Sequence, residues 1–96
     1  MEPLERPDLY VVVRLLETVR SREAPPTRTQ LQIASGMNYS QFERYLELTL
    51  RRGLLKLAQD RGGPPIVEIT PKGYDALMFL ARGLREVVGS QFSTPP

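Results

Sequence analysis

The segment NYSQFERYLELTLRRGLL, residues 38–55, leaves little freedom in what it can become. Phe42, Tyr45, Leu46, Thr49 and Leu50 recur at the three-and-four spacing of one helical face. Gln41, Arg44, Glu47 and Arg51 fall off that face and look outward. Ser40 offers a capping hydroxyl, and Glu43 three residues later completes an S-x-x-E box that satisfies two free backbone donors reciprocally. Gly53 stands where a left-handed residue would stop the helix. Leu54 and Leu55 carry apolar content into a new element. A helix apolar on one side and charged on the other buries only half of itself, so its neighbours in the chain decide what it is.

Upstream, residues 1–7 read as an N-terminal tail and Asp8 as a helix cap. Leu9, Val12, Val13, Leu16 and Val19 mark one face of a first helix ending near Arg22. The β-branched run at residues 9–13 would also suit a strand, but RLLETVR keeps helical spacing for two further turns. Val11 and Leu15 lie off the main face and ask for a second cover. Glu23-Ala24-Pro25-Pro26 breaks this helix. Thr29 can then cap a short helix over residues 30–35, with Leu31, Ile33 and Ala34 on its inner side. Gly36, Met37 and Asn38 make a tight turn into the next helix. A short helix, a glycine-containing turn and a longer second helix are the parts of a helix-turn-helix.

Downstream, residues 54–58 and 66–69 are short apolar segments separated by DRGGPP, a run of turn formers. They predict a hairpin placed directly after the longer helix, with Arg61 near its tip. Thr70-Pro71 opens a last helix, a hydroxyl cap followed by proline at the first helical position. It runs to about Val88 with Tyr74, Leu77, Ala81, Leu84 and Val88 as its stripe. Met78, Phe79, Leu80 and Val87 spread apolar surface over more of the circumference than one small domain needs. The expectation is a homodimer through this helix, with an interface of Met78, Phe79, Leu80 and Val87 aided by Val11 and Leu15. The competing expectation is that the first helix wraps the last and covers both sides within one chain. One domain over residues 8–89 follows, with residues 90–96 as a flexible tail on which Phe92 docks locally at most. The fold class expected is α+β, mainly helical: a winged helix-turn-helix with a three-helix core, a two-stranded wing and a C-terminal dimerisation helix.

Composition removes most alternatives. Ninety-six residues suffice for one modest core. The sequence has no cysteine and no histidine, which excludes disulfides, thiol chemistry, ordinary zinc sites and imidazole bases. No serine or lysine has an evident base partner, and Gly62-Gly63-Pro64-Pro65 is not followed by the helix that a phosphate-binding loop requires. No enzyme, metal or cofactor is expected. No apolar run approaches a membrane span and the N-terminus begins with acids, so a soluble cytoplasmic protein is expected. The net charge is only +2, yet residues 27–61 hold Arg28, Arg44, Arg51, Arg52, Lys56 and Arg61 against Glu43, Glu47 and Asp60. The local excess is +3, and the rest of the chain carries −1.

Base-specific reading of DNA uses side chains from the N-terminal part of a helix lying in the major groove. Asn38, Tyr39, Ser40, Gln41 and Arg44 occupy that position. Glutamine pairs with adenine and arginine with guanine. Ser40 serves its own helix first, Tyr39 is either a contact or an inward-packing staple, and Glu43 is a box partner before it is a cytosine reader. Arg28, Arg51, Arg52 and Lys56 are phosphate candidates, with Arg51 shared with Glu47 one turn earlier. Arg61 at the hairpin tip can enter the minor groove or reach phosphate.

Together T-R-T-x-L at residues 27–31, N-Y-S-Q-F-x-x-Y-L-x-L at 38–48, G-L-L at 53–55 and I-T-P-K-G at 69–73 resemble the small archaeal winged helix-turn-helix family. That family holds transcriptional regulators and ten-kilodalton chromatin-type DNA-binding proteins. The resemblance covers roughly residues 27–80. It implies double-stranded DNA binding and dimerisation through a C-terminal helix, with the helix-turn-helix at residues 29–52 and the wing at 54–69. Thr49 departs from an apolar position of the pattern, Arg51 from one commonly acidic, and the last helix is shorter than the long coiled coils of some members. The rival reading is a winged helix used for protein association or assembly without DNA. Double-stranded RNA has no positive feature in its favour, since side chains cannot easily read its narrow major groove.

Overall fold

The computed structural model describes residues 6–59 and 61–88, the side chain of Val88 excepted. Its elements follow in the order α1 Leu9–Arg20, α2 Arg28–Ser35, α3 Tyr39–Arg51, β1 Leu55–Ala58, β2 Ile66–Ile69 and α4 Pro71–Val88. The expectations for residues 1–5 and for the segment beyond 88, Phe92 included, fall outside the described residues.

α1 starts where Asp8 accepts the Tyr10 N–H at 2.9 Å, and it ends two residues before Arg22. The second apolar surface of α1 is covered from within. Val11 and Leu15 are buried in the core, and α1 packs against α2, α3, α4 and β2. This corrects the placing of Val11 and Leu15 at a dimer interface, because side chains already packed inside their own chain leave almost no surface for a partner.

α2 begins earlier than expected. Thr27, not Thr29, is the cap, and its box partner is Gln30: the Thr27 hydroxyl accepts the Gln30 N–H at 3.2 Å and the Gln30 amide oxygen accepts the Thr27 N–H at 3.0 Å. The helix turns Leu31 and Ser35 inward, while Ile33 and Ala34 face solvent, Ile33 at 75% exposure. Gly36 ends it at φ 74°, and Met37 beyond it is buried.

α3 is anchored by Phe42, Tyr45, Leu46, Leu48 and Thr49, all buried. Thr49 does not weaken this face. Its hydroxyl lies 2.9 Å from the carbonyls of Tyr45 and Leu46 and donates back into its own helix, so it is not buried unpaired. The Tyr45 hydroxyl accepts the Asp8 N–H at 2.7 Å and ties the start of α1 to α3. The stop at Gly53 is a Schellman closure: Gly53 N–H reaches Leu50 O at 3.1 Å and Leu54 N–H reaches Thr49 O at 2.8 Å, with Gly53 at φ 74°.

β1 and β2 pair antiparallel, Leu55 opposite Ile69 through Ala58 opposite Ile66. Leu55 and Val67 point into the core. The hairpin has an edge partner that the sequence did not announce. Thr27 bridges Ile66, and the Val67 N–H donates to Pro26 O at 2.8 Å, so the segment between α1 and α2 flanks β2.

α4 is fastened at its first turn. The Thr70 hydroxyl accepts the Gly73 N–H at 2.9 Å and lies within donating distance of the Gly53 and Leu54 carbonyls, at 2.6 and 3.1 Å. Gly73 is needed at this crossing because a Cβ there would lie 1.9 Å from the Leu54 carbonyl oxygen. Leu77 is the buried anchor of α4, with Leu80 and Leu84 packed partly against the core and Tyr74, Met78, Phe79 and Val87 exposed.

Candidate nucleic-acid interface

The outer side of α3 is open. With 3.6 residues per turn, Ser40, Arg44, Glu47 and Arg51 stack along one stripe opposite Phe42, Leu46 and Thr49, and all four stripe residues are exposed. Arg44 and Arg51 have no ion-pair partner among the described residues. The expected Glu47–Arg51 pair is therefore not formed, and the Arg51 guanidinium stays available.

The start of α3 differs from the sequence expectation. Asn38 is the cap, its side-chain oxygen accepting the Gln41 N–H at 2.8 Å. The helix begins two residues earlier than a Ser40 cap would allow, which makes Tyr39 and Ser40 helical. Ser40 is thus released from capping. Tyr39 is 66% exposed and does not act as a packed staple. Gln41, half-buried, lines an open groove with Asn38, Ser40, Arg44 and Tyr45.

Glu43 is also reassigned. With the cap at Asn38, its carboxylate turns toward α2 and binds Arg28, whose Nη2 lies 2.8 and 2.9 Å from the two carboxylate oxygens. Arg28 is accordingly half-buried and engaged, not a free phosphate cation. The pair is a cross-link between the start of α2 and the outer edge of α3.

Three surfaces adjoin at Arg28. It lines an open groove of ≈ 600 Å³ with Glu43, Leu46, Glu47, Leu50 and Arg51. It also lines a smaller groove with Thr27, Thr29, Pro64 and Pro65, where the hairpin loop meets α2. The outer side of α3, the start of α2 and the wing loop are therefore continuous. Arg61 in that loop is exposed and left-handed, at φ 50°, an uncommon backbone for a residue with a Cβ. Two sequence candidates lie elsewhere. Arg52 is exposed at the α3 C-cap, off the stripe. Lys56 faces a different groove with Val19, Arg22 and Pro25, and stands 3.8 Å from Glu68 across the hairpin.

A second surface lies between the start of α1 and the end of α4. Phe79, Leu80, Gly83, Leu84 and Val87 line a groove of ≈ 360 Å³ with Leu9 and Tyr10, and among the described residues no charged one enters its lining. Phe79 is 77% and Val87 86% exposed, and Met78 is exposed nearby. Among the described residues no acid cluster could hold a metal ion, and no helix is long and apolar enough to cross a membrane.

No protein-family model and no curated protein matches the chain. Its fold is similar to solved structures. The transcriptional regulator BldR from Sulfolobus solfataricus superposes with a TM-score of 0.72 at 25% identity, over 90% of this chain and 62% of that one. Sso10a-2, a DNA-binding protein from the same organism, gives 0.68 at 22% identity, over 90% of this chain and 88% of that one. The M. tuberculosis transcriptional regulator MOSR, solved in complex with DNA, gives 0.61 at 26% identity, over 84% of this chain and 63% of that one. The chain thus spans just under two thirds of the two regulators, at 62% and 63% of their lengths. Shared with both Sulfolobus structures over 90% of its length, the architecture is a winged helix-turn-helix, and this chain is a winged-helix protein similar to these archaeal examples.

Proposed function

We propose that the chain is a sequence-specific double-stranded DNA-binding protein, a dimeric transcriptional regulator that reads the major groove with α3. The observation that carries this reading is the uncovered stripe of α3, where Arg44 and Arg51 stand exposed and unpaired beside the start of α2 and the wing loop. A major groove about 12 Å wide accepts an α-helix, and nothing among the described residues covers this one. The likeness to two transcriptional regulators and a DNA-binding protein supports the same reading.

In this reading Arg44 pairs with guanine and Gln41 with adenine, while Ser40 and Tyr39 meet the backbone or base edges beside them. Arg51 at the end of the stripe and Arg61 in the wing loop contact phosphate. Asn38 and Arg28 act indirectly, one by capping α3 and the other by fixing α2 against it through Glu43. The uncharged groove between α1 and α4 supports a homodimer through Met78, Phe79, Leu80 and Val87, because exposed apolar surface of this kind marks an association site. Assembly without DNA is the rival use of the fold. The exposed arginines beside Gln41 favour DNA over it, because arginine suits bidentate contact with phosphate and guanine and glutamine pairs with adenine.

The test is a gel shift on duplex DNA over a range of salt. Binding should weaken with a logarithmic slope of about −0.9 per phosphate neutralised. Arg44→Ala should reduce discrimination between sequences by about 1–3 kcal/mol, whereas Arg61→Ala should weaken all sequences alike. Absence of any shift at low salt would leave the assembly reading in its place.

A further inference from the structure

We propose that Glu47 is a base-reading residue that selects cytosine, so that the target of α3 contains a fixed G·C pair at or next to the position read by Arg44. The proposal rests on the DNA-binding reading of α3 and adds a specificity to it.

α3 carries two acids, and the fold treats them differently. Glu43 is consumed by Arg28, both of its oxygens within 2.9 Å of one guanidinium nitrogen. Glu47 has no hydrogen-bond or ion-pair partner for its side chain among the described residues, although Arg44 stands three residues before it and Arg51 four after. Residues at those separations are neighbours on a helix, so a pair was within reach and is not made. The unpartnered carboxylate lies in the middle of the exposed stripe, on the side that would face a polyanion. An acid there repels phosphate, and it favours binding only where it meets a hydrogen-bond donor.

The donors available in a major groove are few. An ionised carboxylate only accepts hydrogen bonds. Guanine offers acceptors at N7 and O6 and thymine an acceptor at O4, so both reject it. Adenine places its amino group beside the N7 acceptor, which repels the second carboxylate oxygen. Cytosine presents the N4 amino donor without such a neighbour. Three residues of helix rise by about 4.5 Å, close to one base-pair step, so Arg44 and Glu47 address the same or adjacent pairs. A guanidinium and a carboxylate so placed ask for guanine and cytosine respectively.

The experiment selects duplexes from a randomised pool with the wild-type chain, Glu47→Gln and Glu47→Ala, and then measures equilibrium binding to the selected duplex and to single-pair changes of it. Thermal melting checks that the variants fold, as expected for a side chain without a partner. The wild type should fix a cytosine at one position and lose on the order of tenfold in affinity when that pair is changed. Glu47→Ala should show no preference there, and Glu47→Gln should turn toward adenine. The proposal is overturned if both variants keep the wild-type motif. It is equally overturned if they tighten binding to every sequence by the same factor, because Glu47 would then only repel phosphate. Failure of the wild type to retain any duplex would instead overturn the DNA reading and this proposal with it.

Discussion

Gly73→Ala is the substitution whose sign separates tertiary packing from local propensity. In an exposed helix, alanine in place of glycine stabilises by about 1 kcal/mol. At Gly73 the added methyl would lie 1.9 Å from the Leu54 carbonyl oxygen, 2.8 Å from its carbon and 3.0 Å from Ile69 Cγ1. Two of these atoms are backbone and cannot rotate aside, so the start of α4 must move away from the turn after α3. Overpacking of this kind costs about 1–3 kcal/mol. The shift also lengthens the bonds that Thr70 makes to the Leu54 carbonyl, from its N–H at 3.1 Å and its hydroxyl at 3.1 Å, each contributing about 1 kcal/mol. Against the gain in helix propensity, the net loss is about 3 kcal/mol. A urea titration followed by circular dichroism should show the midpoint falling by about 1–3 M, given slopes of about 1–3 kcal/mol/M for small proteins. Gly83→Ala is the matched control. A Cβ at Gly83 would meet nothing beyond its own stretch of helix within 4 Å, so the change should stabilise by up to about 1 kcal/mol, measured at low protein concentration. A Gly73→Ala midpoint at or above that of the wild type would refute the packing argument.

Three further outcomes follow from the contacts described. Asn38→Ala should cost about 1 kcal/mol through the lost cap, whereas Ser40→Ala should stay within about 0.5 kcal/mol; the reverse order in denaturant titrations would return the cap to Ser40. Tyr45→Phe leaves the Asp8 N–H without its acceptor, which should cost about 1 kcal/mol and speed amide exchange in the first turn of α1, while unchanged exchange would show the bond to be idle. On the proposed homodimer, Phe79→Glu places a charge in the groove between α1 and α4 and should shift sedimentation toward the monomer at micromolar concentration, and an unchanged dimer would move the interface elsewhere.

What the sequence revealed and what it withheld divide along physical lines. Asp8, Gly53 and Thr70-Pro71 were legible because each sits beside a long periodic stretch that fixes its role. At α2 and α3 two capping side chains stand two residues apart, and local rules cannot choose between them. The choice at α2 is made by β2, which holds residues 26 and 27 extended as a strand edge and leaves Thr27 as the last non-helical residue. Two prolines and a threonine give no strand signature, so this third edge was invisible. At α3 the cap moves to Asn38, which frees Glu43 for Arg28. That ion pair spans fifteen residues and no local spacing announces it. The outward Ile33 is not legible in the sequence, because eight residues make too few turns for periodicity to fix the phase of α2. Val11 and Leu15 look like surplus in the sequence because it cannot show how many elements surround α1. Of the candidate site, Arg44, Gln41, Ser40, Tyr39 and Arg51 fall together on or beside the stripe, while Lys56 lies on another side of the hairpin, where only the β-register could have placed it.

The most direct measurement is a titration of the isotope-labelled chain with a short DNA duplex, followed by amide chemical shifts. The largest changes should fall at residues 39–51 and at the wing loop around Arg61, fading as salt is raised, with little change along the groove between α1 and α4. Changes concentrated on Phe79 and Val87, or none at low salt, would contradict it.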